Sequence, residues 1–298
     1  MRSVFFLVAA LAFSSGVARA DFVYPDFSST TGLTPVGTAA QSGTKERLTT
    51  NGNLKVGGVW RIPKENVVGA WTTQFQFQTS SPTSIVGGAV PNEAGADGFA
   101  FVLQNSAAAP IGSNGQGIGY AGIVDSVAVE LDTFFNTSIS TTFFGTIPSN
   151  GDPDGNHVAV QTGGTGANSS DHNVTFTKGL ASLPTATLNM SDGGVHTAKI
   201  SYTPGTMTVF IDNLVIPVLT VPIDLSSTIT TDANGNGFVG LTSATGLAAE
   251  NHDILNWSFV TVPEPTTLSL VGVAVAGVLG RRRSLFLRSP QLARADKK

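Results

Sequence analysis

The sequence predicts an all-β protein built from two packed antiparallel sheets, and three observations lead to this fold class. Gly, Thr, Ser and Val are abundant among the 298 residues, and the charged fraction is only 12%. Many short segments alternate apolar with polar residues, as half-buried strands do. No sustained helical period is present, and Gly, Asn and Pro interrupt the apolar runs. Short strands with frequent turns favour a two-sheet sandwich over a helical architecture.

Residues 1–20 have the features of a secretory signal peptide. A basic start precedes an apolar run over residues 4–13, and Ala18-Arg19-Ala20 has the small-x-small form of a signal peptidase site. We therefore expect export of the chain, with the sandwich occupying residues 21–260.

Strand patterns recur along this body, and the clearest is Ala70-Trp71-Thr72-Thr73-Gln74-Phe75-Gln76-Phe77-Gln78, which alternates apolar and polar residues. Asn51-Gly52, between two short apolar pieces, indicates a hairpin turn. Besides a central stretch, strands are predicted at 70–78, 98–104, 157–161, 174–176, 196–202, 207–211 and 237–242.

The central stretch is Val-Ala-Val-Glu-Leu-Asp-Thr-Phe-Phe-Asn at residues 127–136. Its β-branched start indicates a strand, and Glu130 and Asp132 follow two residues apart. Side chains at i and i+2 leave a strand on the same face, so the two carboxylates lie side by side. Such a pair needs either a shared proton, as in acid/base catalysis, or a divalent cation.

The neighbouring residues favour the cation. Asn136 adds an amide oxygen, and Asp-Pro-Asp-Gly-Asn-His at residues 152–157 adds a further carboxylate and an imidazole. Oxygen ligands suit calcium, whereas a mixture of imidazole and carboxylates suits a first-row transition ion. The pattern therefore predicts a metal site.

These motifs resemble the metal-binding signature of the legume (L-type) lectins. Ala96-Asp97-Gly98-Phe99-Ala100-Phe101 resembles the sugar-binding aspartate segment of that family, and Gly119-Tyr120-Ala121-Gly122-Ile123 resembles its glycine loop. Residues 237–259 resemble its closing strand. The resemblance covers roughly residues 22–259 in the family's chain order, and it implies a concanavalin A-like jelly-roll sandwich.

The resemblance also implies a set of binding residues. A transition metal, typically manganese, would be held by Glu130, Asp132, Asp152 and His157. Calcium would be held by Asp132, the backbone carbonyl of Phe134, Asn136 and Asp152. A sugar would contact Asp97, Gly119, Phe134, Asn136 and, in the loop 245–251, Leu247 and Ala248. The Ala96–Asp97 peptide bond would be cis.

One departure from the family is the stretch 137–151, which replaces a short loop between two expected metal ligands and includes Phe143-Phe144. The stretch leaves open whether the pocket is covered, and whether Asp154 substitutes for Asp152. A plain surface turn is the alternative for the Asp-Pro-Asp-Gly sequence.

Three function classes are compatible with the sandwich. We expect a carbohydrate-binding protein that is not an enzyme. The alternative is a structural or adhesion matrix protein whose metals stabilise the fold without sugar binding. A glycoside hydrolase is a further rival, since related glucanases place a second Glu two or three residues after Glu-x-Asp. Here those positions hold Phe134 and Phe135, so no second carboxylate follows on the strand.

Charge excludes one class of partner. Residues 21–280 contain seven basic and 19 acidic residues, a formal charge of −12. Nucleic acid is therefore excluded as an expected partner, whereas cations suit an acidic body. The chain has no Cys, so no disulfide contributes to its stability.

The C-terminal end resembles the PEP-CTERM sorting signal. A linker at 261–266 contains Val-Pro-Glu-Pro, an apolar stretch at 267–280 precedes Arg281-Arg282-Arg283, and a polar tail occupies 284–298. The apolar stretch is shorter than the ~20 residues that span a bilayer. The segment 267–283 implies transient membrane insertion in a Gram-negative-type bacterium, with cleavage or retention as an anchor left open. We expect delivery to the cell surface, outer envelope or extracellular matrix, glycans or exopolysaccharide as partners, and a possible homo-oligomer.

Overall fold

The computed structural model describes residues 20–84, 95–141 and 145–262. Residues 1–19 and 263–298, which hold most of the expected signal peptide and the whole expected sorting segment, lie outside the described residues. Ala20, the last residue of the expected signal peptide, begins the first strand, and the last strand extends two residues into the expected linker. No helix within the described ranges has the length and apolar character needed to cross a membrane.

Eighteen strands, one short helix and a 3-10 turn at Gly115–Gly117 make up the described part of the chain. In chain order they are β1 (Ala20–Tyr24), β2 (Leu33–Gly37), β3 (Ala40–Ser42), β4 (Lys45–Thr49), β5 (Val56–Arg61), β6 (Glu65–Asn66), β7 (Ala70–Thr83), β8 (Gly98–Gln104), β9 (Ser126–Asp132), β10 (Ile139–Thr141), β11 (Gly145–Ile147), β12 (His157–Thr162), β13 (Thr177–Ser182), β14 (Val195–Thr203), β15 (Gly205–Ile211), β16 (Leu219–Ile223), α1 (Leu225–Thr228), β17 (Asn236–Ala244) and β18 (Ala249–Val262).

The strands form two large antiparallel sheets, as the sequence predicts. The first sheet has the order β16-β15-β14-β7-β18-β4-β3, with β1 paired to β18. The second sheet has the order β13-β12-β9-β8-β17-β5-β2, with β6 paired to β17. β10 and β11 form a separate small hairpin.

The core lies between the two sheets and follows from strand alternation. In β7, Trp71, Thr73, Phe75 and Phe77 are buried while the residues that alternate with them are half-buried. Burying side chains of this size stabilises the fold by about 1.5–3 kcal/mol each relative to exposure. The period of two in the sequence therefore places one apolar row of β7 in the core.

The central strands β8, β9 and β12 of the second sheet are buried on both faces, which positions the functional site. Val127, Val129 and Leu131 of β9 pack into the main core. Ala128 instead joins a second cluster on the opposite face, where it lies with Trp60, Ala100, Val102, Ile118, Tyr120 and Ile123. Glu130 and Asp132 leave β9 on the side of Ala128 and are therefore enclosed although they face away from the main core.

The prediction of a strand at 174–176 is wrong. These residues form a turn, and β13 begins at Thr177. The Asn173 Oδ1 accepts a hydrogen bond from the Thr175 N–H at 2.9 Å, and Val174 is 95% exposed. A side-chain cap of this kind competes with strand pairing, and the apolar residue gains no burial.

The prediction of a hairpin at Asn51-Gly52 is also wrong. A turn is present, but it connects β4 of the first sheet to β5 of the second. The Asn51 N–H donates to the Asn251 side chain at 3.0 Å instead of closing a two-strand ladder.

Candidate functional site

The second sheet brings together the residues at the centre of the site. Glu130 and Asp132 share one face of β9, and His157 of β12 lies directly opposite Asp132 in the antiparallel ladder. All three side chains are fully buried. Register alone therefore places an imidazole beside two carboxylates.

Two loops add oxygen atoms to this cluster. The Asp132 Oδ1 accepts from the Phe134 N–H at 2.7 Å, and the Asp152 Oδ2 accepts from the Asn136 N–H at 2.7 Å. Each carboxylate thus uses one oxygen to accept a hydrogen bond from the backbone of the segment that follows β9. The Asp132 Oδ2 and the Asn136 Oδ1 are buried without a hydrogen-bond partner among the described residues, and the buried Asp152 Oδ1 lies 3.0 Å from the His172 Nδ1. Buried oxygens without donors are the ligands that calcium prefers, so these residues fit a calcium ion.

The structure distinguishes Asp152 from Asp154. The His157 Nδ1 lies 2.9 Å from the Asp154 backbone carbonyl, which only accepts, so Nδ1 carries the proton and Nε2 presents a lone pair. The Nε2 faces the Glu130 Oε1 at 3.5 Å and the Asp152 Oδ1 at 4.0 Å. Orientation of a ligating His by a backbone carbonyl is common in metal sites. Asp154 therefore orients the imidazole, while Asp152 lies on its ligating side.

His172 is a site residue that the sequence reasoning missed. Its Nε2 lies 3.1 Å from the Glu130 Oε1, and its Nδ1 lies 3.0 Å from the Asp152 Oδ1. It comes from the loop between β12 and β13, and its side chain is only 1% exposed. Among the described residues, two groups have metal-ligating geometry: Glu130 with His157 and His172, and Asp132 with Asp152 and His157. The only signal in the sequence is that His172 is one of four His in an acidic chain.

Burial and mutual repulsion perturb the ionisation of the cluster. Burial opposes ionisation of Glu130, but its contacts with His157 and His172 outweigh burial and lower the Glu130 pKa to about 2. Burial also opposes protonation of His172, yet Asp152 and Glu130 raise the His172 pKa to about 9. Burial, followed by the charges of Asp152 and Glu130, raises the Asp132 pKa well above its usual value. A divalent cation would relieve this repulsion, so the donor set fits the metals that the resemblance implies.

Beside the cluster is an open cleft of about 450 Å³. It is lined by Leu54, Ala96, Asp97, Ser113, Asn114, Gly115, Gln116, Gly117, Ala121, Phe134, Asn136, Thr137, Ser169, Ser170, Asp171, Gly246, Leu247 and Ala248. Five of the six residues expected to bind sugar are in this lining. The structure therefore places five of the residues expected to bind sugar beside the candidate metal ligands, and Asn136 belongs to both sets.

Asp97 is the most buried carboxylate of the cleft. The Ala96–Asp97 peptide bond is cis, as the resemblance implies. The Asp97 Oδ2 has no hydrogen-bond partner among the described residues. Burial raises the Asp97 pKa to about 8, although a hydrogen bond from the Asn136 side chain opposes the shift. A ligand hydroxyl would supply the missing donor.

Gly119 is the expected sugar residue that does not line the cleft. Its N–H donates to the Ser113 carbonyl at 2.9 Å, and a Cβ at this position would lie 3.0 Å from the Ser243 carbonyl. Its backbone donor is therefore already used. The same loop contributes residues 113–117 to the cleft, and the buried Gln116 Oε1 has no partner in the described part of the chain.

The stretch 137–151 contains the β10–β11 hairpin. Thr137, at its start, lines the cleft. Residues 142–144, which include Phe143-Phe144, lie outside the described residues.

Family models match the chain in two regions. The model described as the legume lectin beta-barrel domain matches residues 25–257. The model described as the PEP-CTERM protein-sorting motif matches residues 261–283.

Plant lectins are among the similar curated proteins. Lectin DB58 of Vigna unguiculata subsp. cylindrica is 26% identical over 301 residues, covering 91% of this chain and 94% of that protein. The lectin alpha chain of Cratylia argentea is 30% identical over 141 residues, but the match spans less than half of either protein, 45% of this chain and 46% of the relative.

Solved structures show the same fold. The Bauhinia forficata lectin in complex with GalNAc superposes with a TM-score of 0.59 at 20% identity, covering 81% of this chain and 97% of that one. The exoplasmic/lumenal domain of VIP36 in its Ca²⁺/Man3GlcNAc-bound form has a TM-score of 0.53 at 16% identity, covering 78% of this chain and 85% of that one. At these identities the likeness concerns the fold.

Proposed function

The chain belongs to the legume lectin (L-type) family, and from this premise we propose that it is an exported, metal-dependent lectin that binds a terminal sugar in the cleft beside Asp97. The observation that carries the proposal is the convergence in one cleft of an unpartnered buried carboxylate oxygen, an amide and an apolar wall. Few convergent polar groups in a largely apolar concavity are typical of a small-ligand site.

Several residues of the cleft have distinct roles in sugar binding in this proposal. Asp97 accepts hydrogen bonds from sugar hydroxyls, and the Asn136 side chain donates one. Phe134 packs with Ala96 and Ala248 and offers an apolar edge to the carbon face of the ring. Leu247 extends that surface. Gln116 lines the cleft, and its Oε1, which has no hydrogen-bond partner among the described residues, would accept a hydrogen bond from a sugar hydroxyl.

Gly246 has no side chain to occupy the space beside the Asp97 carboxylate. A Cβ on Gly246 would lie 3.1 Å from the Asp97 Oδ2, on the side that faces the cleft. A larger residue there would compete with a ligand for the carboxylate.

The metals have a structural role in the proposal. Asp132, the Phe134 carbonyl, Asn136 and Asp152 would hold calcium, and Glu130, Asp132, Asp152 and His157 would hold a transition ion. Bound cations would neutralise the buried carboxylates and so hold the loops that carry Asn136 and Asp152. The Phe134 N–H already donates to Asp132 and the Asn136 N–H to Asp152, and both hydrogen bonds hold the backbone of residues 134–136 next to these carboxylates.

Binding without catalysis is favoured by the position of the acidic residues. Glu130 and Asp132 are fully buried and are not part of the cleft lining. The Glu130 Oε2 accepts a hydrogen bond from the Tyr120 hydroxyl. A hydrolase needs one carboxyl group on each side of a glycosidic bond. Glu130 and Asp132 instead lie on the same face of β9, among the candidate metal ligands.

The sorting motif supports export in a bacterium. We propose delivery to the cell surface or extracellular matrix, directed by two targeting signals, the signal peptide at 1–20 and the segment 267–283. Single sugar sites bind at about millimolar strength, roughly 4 kcal/mol, so many copies on a surface would be needed for useful avidity.

The proposal is tested by measuring binding of the purified chain to an array of multivalent glycans. We expect signal with calcium and a transition metal, and none after chelation. Asp97→Asn should weaken binding about 100-fold, because it replaces one acceptor oxygen by an NH2 donor and leaves a buried donor facing the sugar hydroxyl, which costs about 1–3 kcal/mol. Gly246→Val should abolish binding by filling the space beside Asp97.

The matched control is Asp224→Asn, an exposed N-cap of α1 whose side chain accepts from the Ser226 N–H. Asn caps a helix as well as Asp does, so this variant should bind like the wild type. A folded wild type that binds no glycan under any condition would overturn the proposal in favour of a structural matrix protein.

A further inference from the structure

Three donor atoms from three different segments converge around one point beside β9. They are the Glu130 Oε1, the His157 Nε2 and the His172 Nε2, and their separations are 3.5 Å, 3.1 Å and 3.2 Å. A circle through three atoms so spaced has a radius of about 1.9 Å, just below the 2.0–2.1 Å of metal–imidazole bonds. The three donor atoms are therefore spaced as the ligands of a single ion would be.

The Nε2 atoms of His157 and His172 share a hydrogen bond at 3.2 Å, and an ion at the point of convergence would displace the shared proton. The Tyr120 hydroxyl binds the other oxygen of Glu130, so the buried Oε1 faces the imidazole nitrogens of His157 and His172. The Asp154 carbonyl holds the proton of His157 on Nδ1, so the Nε2 lone pair faces the point of convergence.

The position of His172 is held by its own backbone. The His172 N–H donates to the Asn150 carbonyl at 2.7 Å, two residues before Asp152. Gly151 lies against the same segment, since a Cβ there would be 3.4 Å from the His172 carbonyl. The loop that carries His172 is thus fastened to the loop that carries Asp152.

We propose that His172 is a direct ligand of the transition-metal site, which makes the site a two-imidazole site that selects a late first-row ion of the zinc class over manganese. Imidazole suits zinc, copper and nickel, whereas a set of carboxylates and water suits manganese and calcium. A second imidazole also brings the site closer to the closed, four-coordinate arrangement of structural zinc.

The same loop connects this ion to the cleft. Ser169, Ser170 and Asp171 line the cleft immediately before His172. An ion held by His172 would therefore fix that wall of the cleft as well as the loop of Asp152. This consequence rests on the proposed function, whereas the metal selectivity does not.

The experiment uses the purified full chain, stripped with a chelator and reloaded with calcium. Zinc and manganese are then titrated separately and in competition, and bound metal is counted by elemental analysis. We expect one zinc ion per chain, bound at least about 100-fold more tightly than manganese. His172→Gln should lose about 100-fold in zinc affinity or more, since even outer-sphere partners of ligands are worth 10–100-fold. Its manganese and calcium affinities should stay within about 3-fold.

The matched control is His196→Gln. His196 is also buried and bridges two carboxylates, Asp192 and Asp212, but it lies on β14 of the first sheet. This variant should keep wild-type zinc affinity. Equal zinc affinity in the wild type and His172→Gln would overturn the proposal. Absence of zinc binding would also overturn it, because the His172 ring would then stand in place of the ion between Glu130 and Asp152.

A measurement on the wild type alone keeps the test independent of variant folding. X-ray absorption of the zinc-loaded chain should show two imidazoles around the metal, and a single imidazole would contradict the assignment. The glycan array in calcium reports the proposed lectin activity separately. Zinc preference without glycan binding would therefore contradict only the proposed function.

Discussion

Glu46 in β4 is a carboxylate that the fold buries without compensation. Its side chain is 1% exposed, and its Oε1 has no hydrogen-bond partner in the described part of the chain. Burial raises the Glu46 pKa from 4.5 to about 7. The neighbouring Lys45 and Arg47 both pair with Asp253 instead. The ionised form of Glu46 is therefore penalised in the folded state.

We predict that Glu46→Gln stabilises the protein in a pH-dependent way. A raised carboxyl pKa favours folding of the protonated form, so the penalty is absent below about pH 4.5, grows between pH 4.5 and 7, and is complete above pH 7. The variant should raise the free energy of unfolding by about 2 kcal/mol at pH 8 and leave it nearly unchanged at pH 4.5. Urea denaturation of both proteins at the two pH values, in chelator, measures the difference.

Asp26→Asn is the control for this comparison. Asp26 is half-buried, and hydrogen bonds from Ser28 lower its pKa. A lowered pKa has the opposite sign, so this variant should not gain stability at pH 8. An equal effect of Glu46→Gln at both pH values would show that burial of charge is not the cause.

The two faces of β9 have different roles: one packs into the core, and the other carries candidate metal ligands. Leu131 is fully buried in the core and pairs with Phe99 of β8 and Val158 of β12. Its neighbours Glu130 and Asp132 leave the strand on the opposite face. Because side chains alternate, one strand contributes to the core and to the cluster without sharing a residue between them.

We predict that Leu131→Ala lowers the free energy of unfolding by about 3 kcal/mol, the cost of lost burial plus a cavity. Calcium affinity should stay within about 3-fold, because the ligand carboxylates are on the other face. Urea denaturation and calorimetric titration measure the two quantities. Leu180→Ala on β13, where the side chain is 38% exposed, is the control and should change stability much less. A loss of calcium affinity as large as the loss of stability would contradict the separation.

Across the whole domain, cations are expected to compensate for buried negative charge. The body of the chain carries a formal charge of −12. The cluster includes the buried carboxylates of Asp132 and Asp152, and the Asp132 Oδ2 has no hydrogen-bond partner among the described residues. A ligand that binds only the folded state stabilises it by mass action.

We predict that calcium at 100 times its Kd raises the free energy of unfolding by about 2.7 kcal/mol. For a domain of this size the corresponding rise in Tm is roughly 5–10 °C. Scanning calorimetry in calcium, in chelator and in magnesium measures the effect. Magnesium is the control, since it dehydrates reluctantly and demands octahedral geometry, and it should raise Tm less. Equal Tm values in calcium and chelator would contradict a folded-state calcium site.

Local patterns in the sequence were sufficient for the fold class, for strands β7, β8 and β9, and for the pairing of Glu130 with Asp132. These features depend on a side-chain period of two, which is written in consecutive residues. The resemblance to the lectins added the cis peptide at Asp97 and five residues of the cleft.

Only the tertiary structure decided the remaining features. Asn173 can cap a turn or precede a strand, and the tertiary structure decides that Val174 has no strand to pair with and stays exposed. Nothing near Asn51 indicates that β4 and β5 belong to different sheets. Gly119 was expected to contact a sugar, but its N–H donates to the Ser113 carbonyl within its own loop. His172 lies 15 residues from His157, a separation that no ligand spacing rule covers. Contacts between loops depend on how two sheets and their connections pack, and that information is distributed over the whole chain.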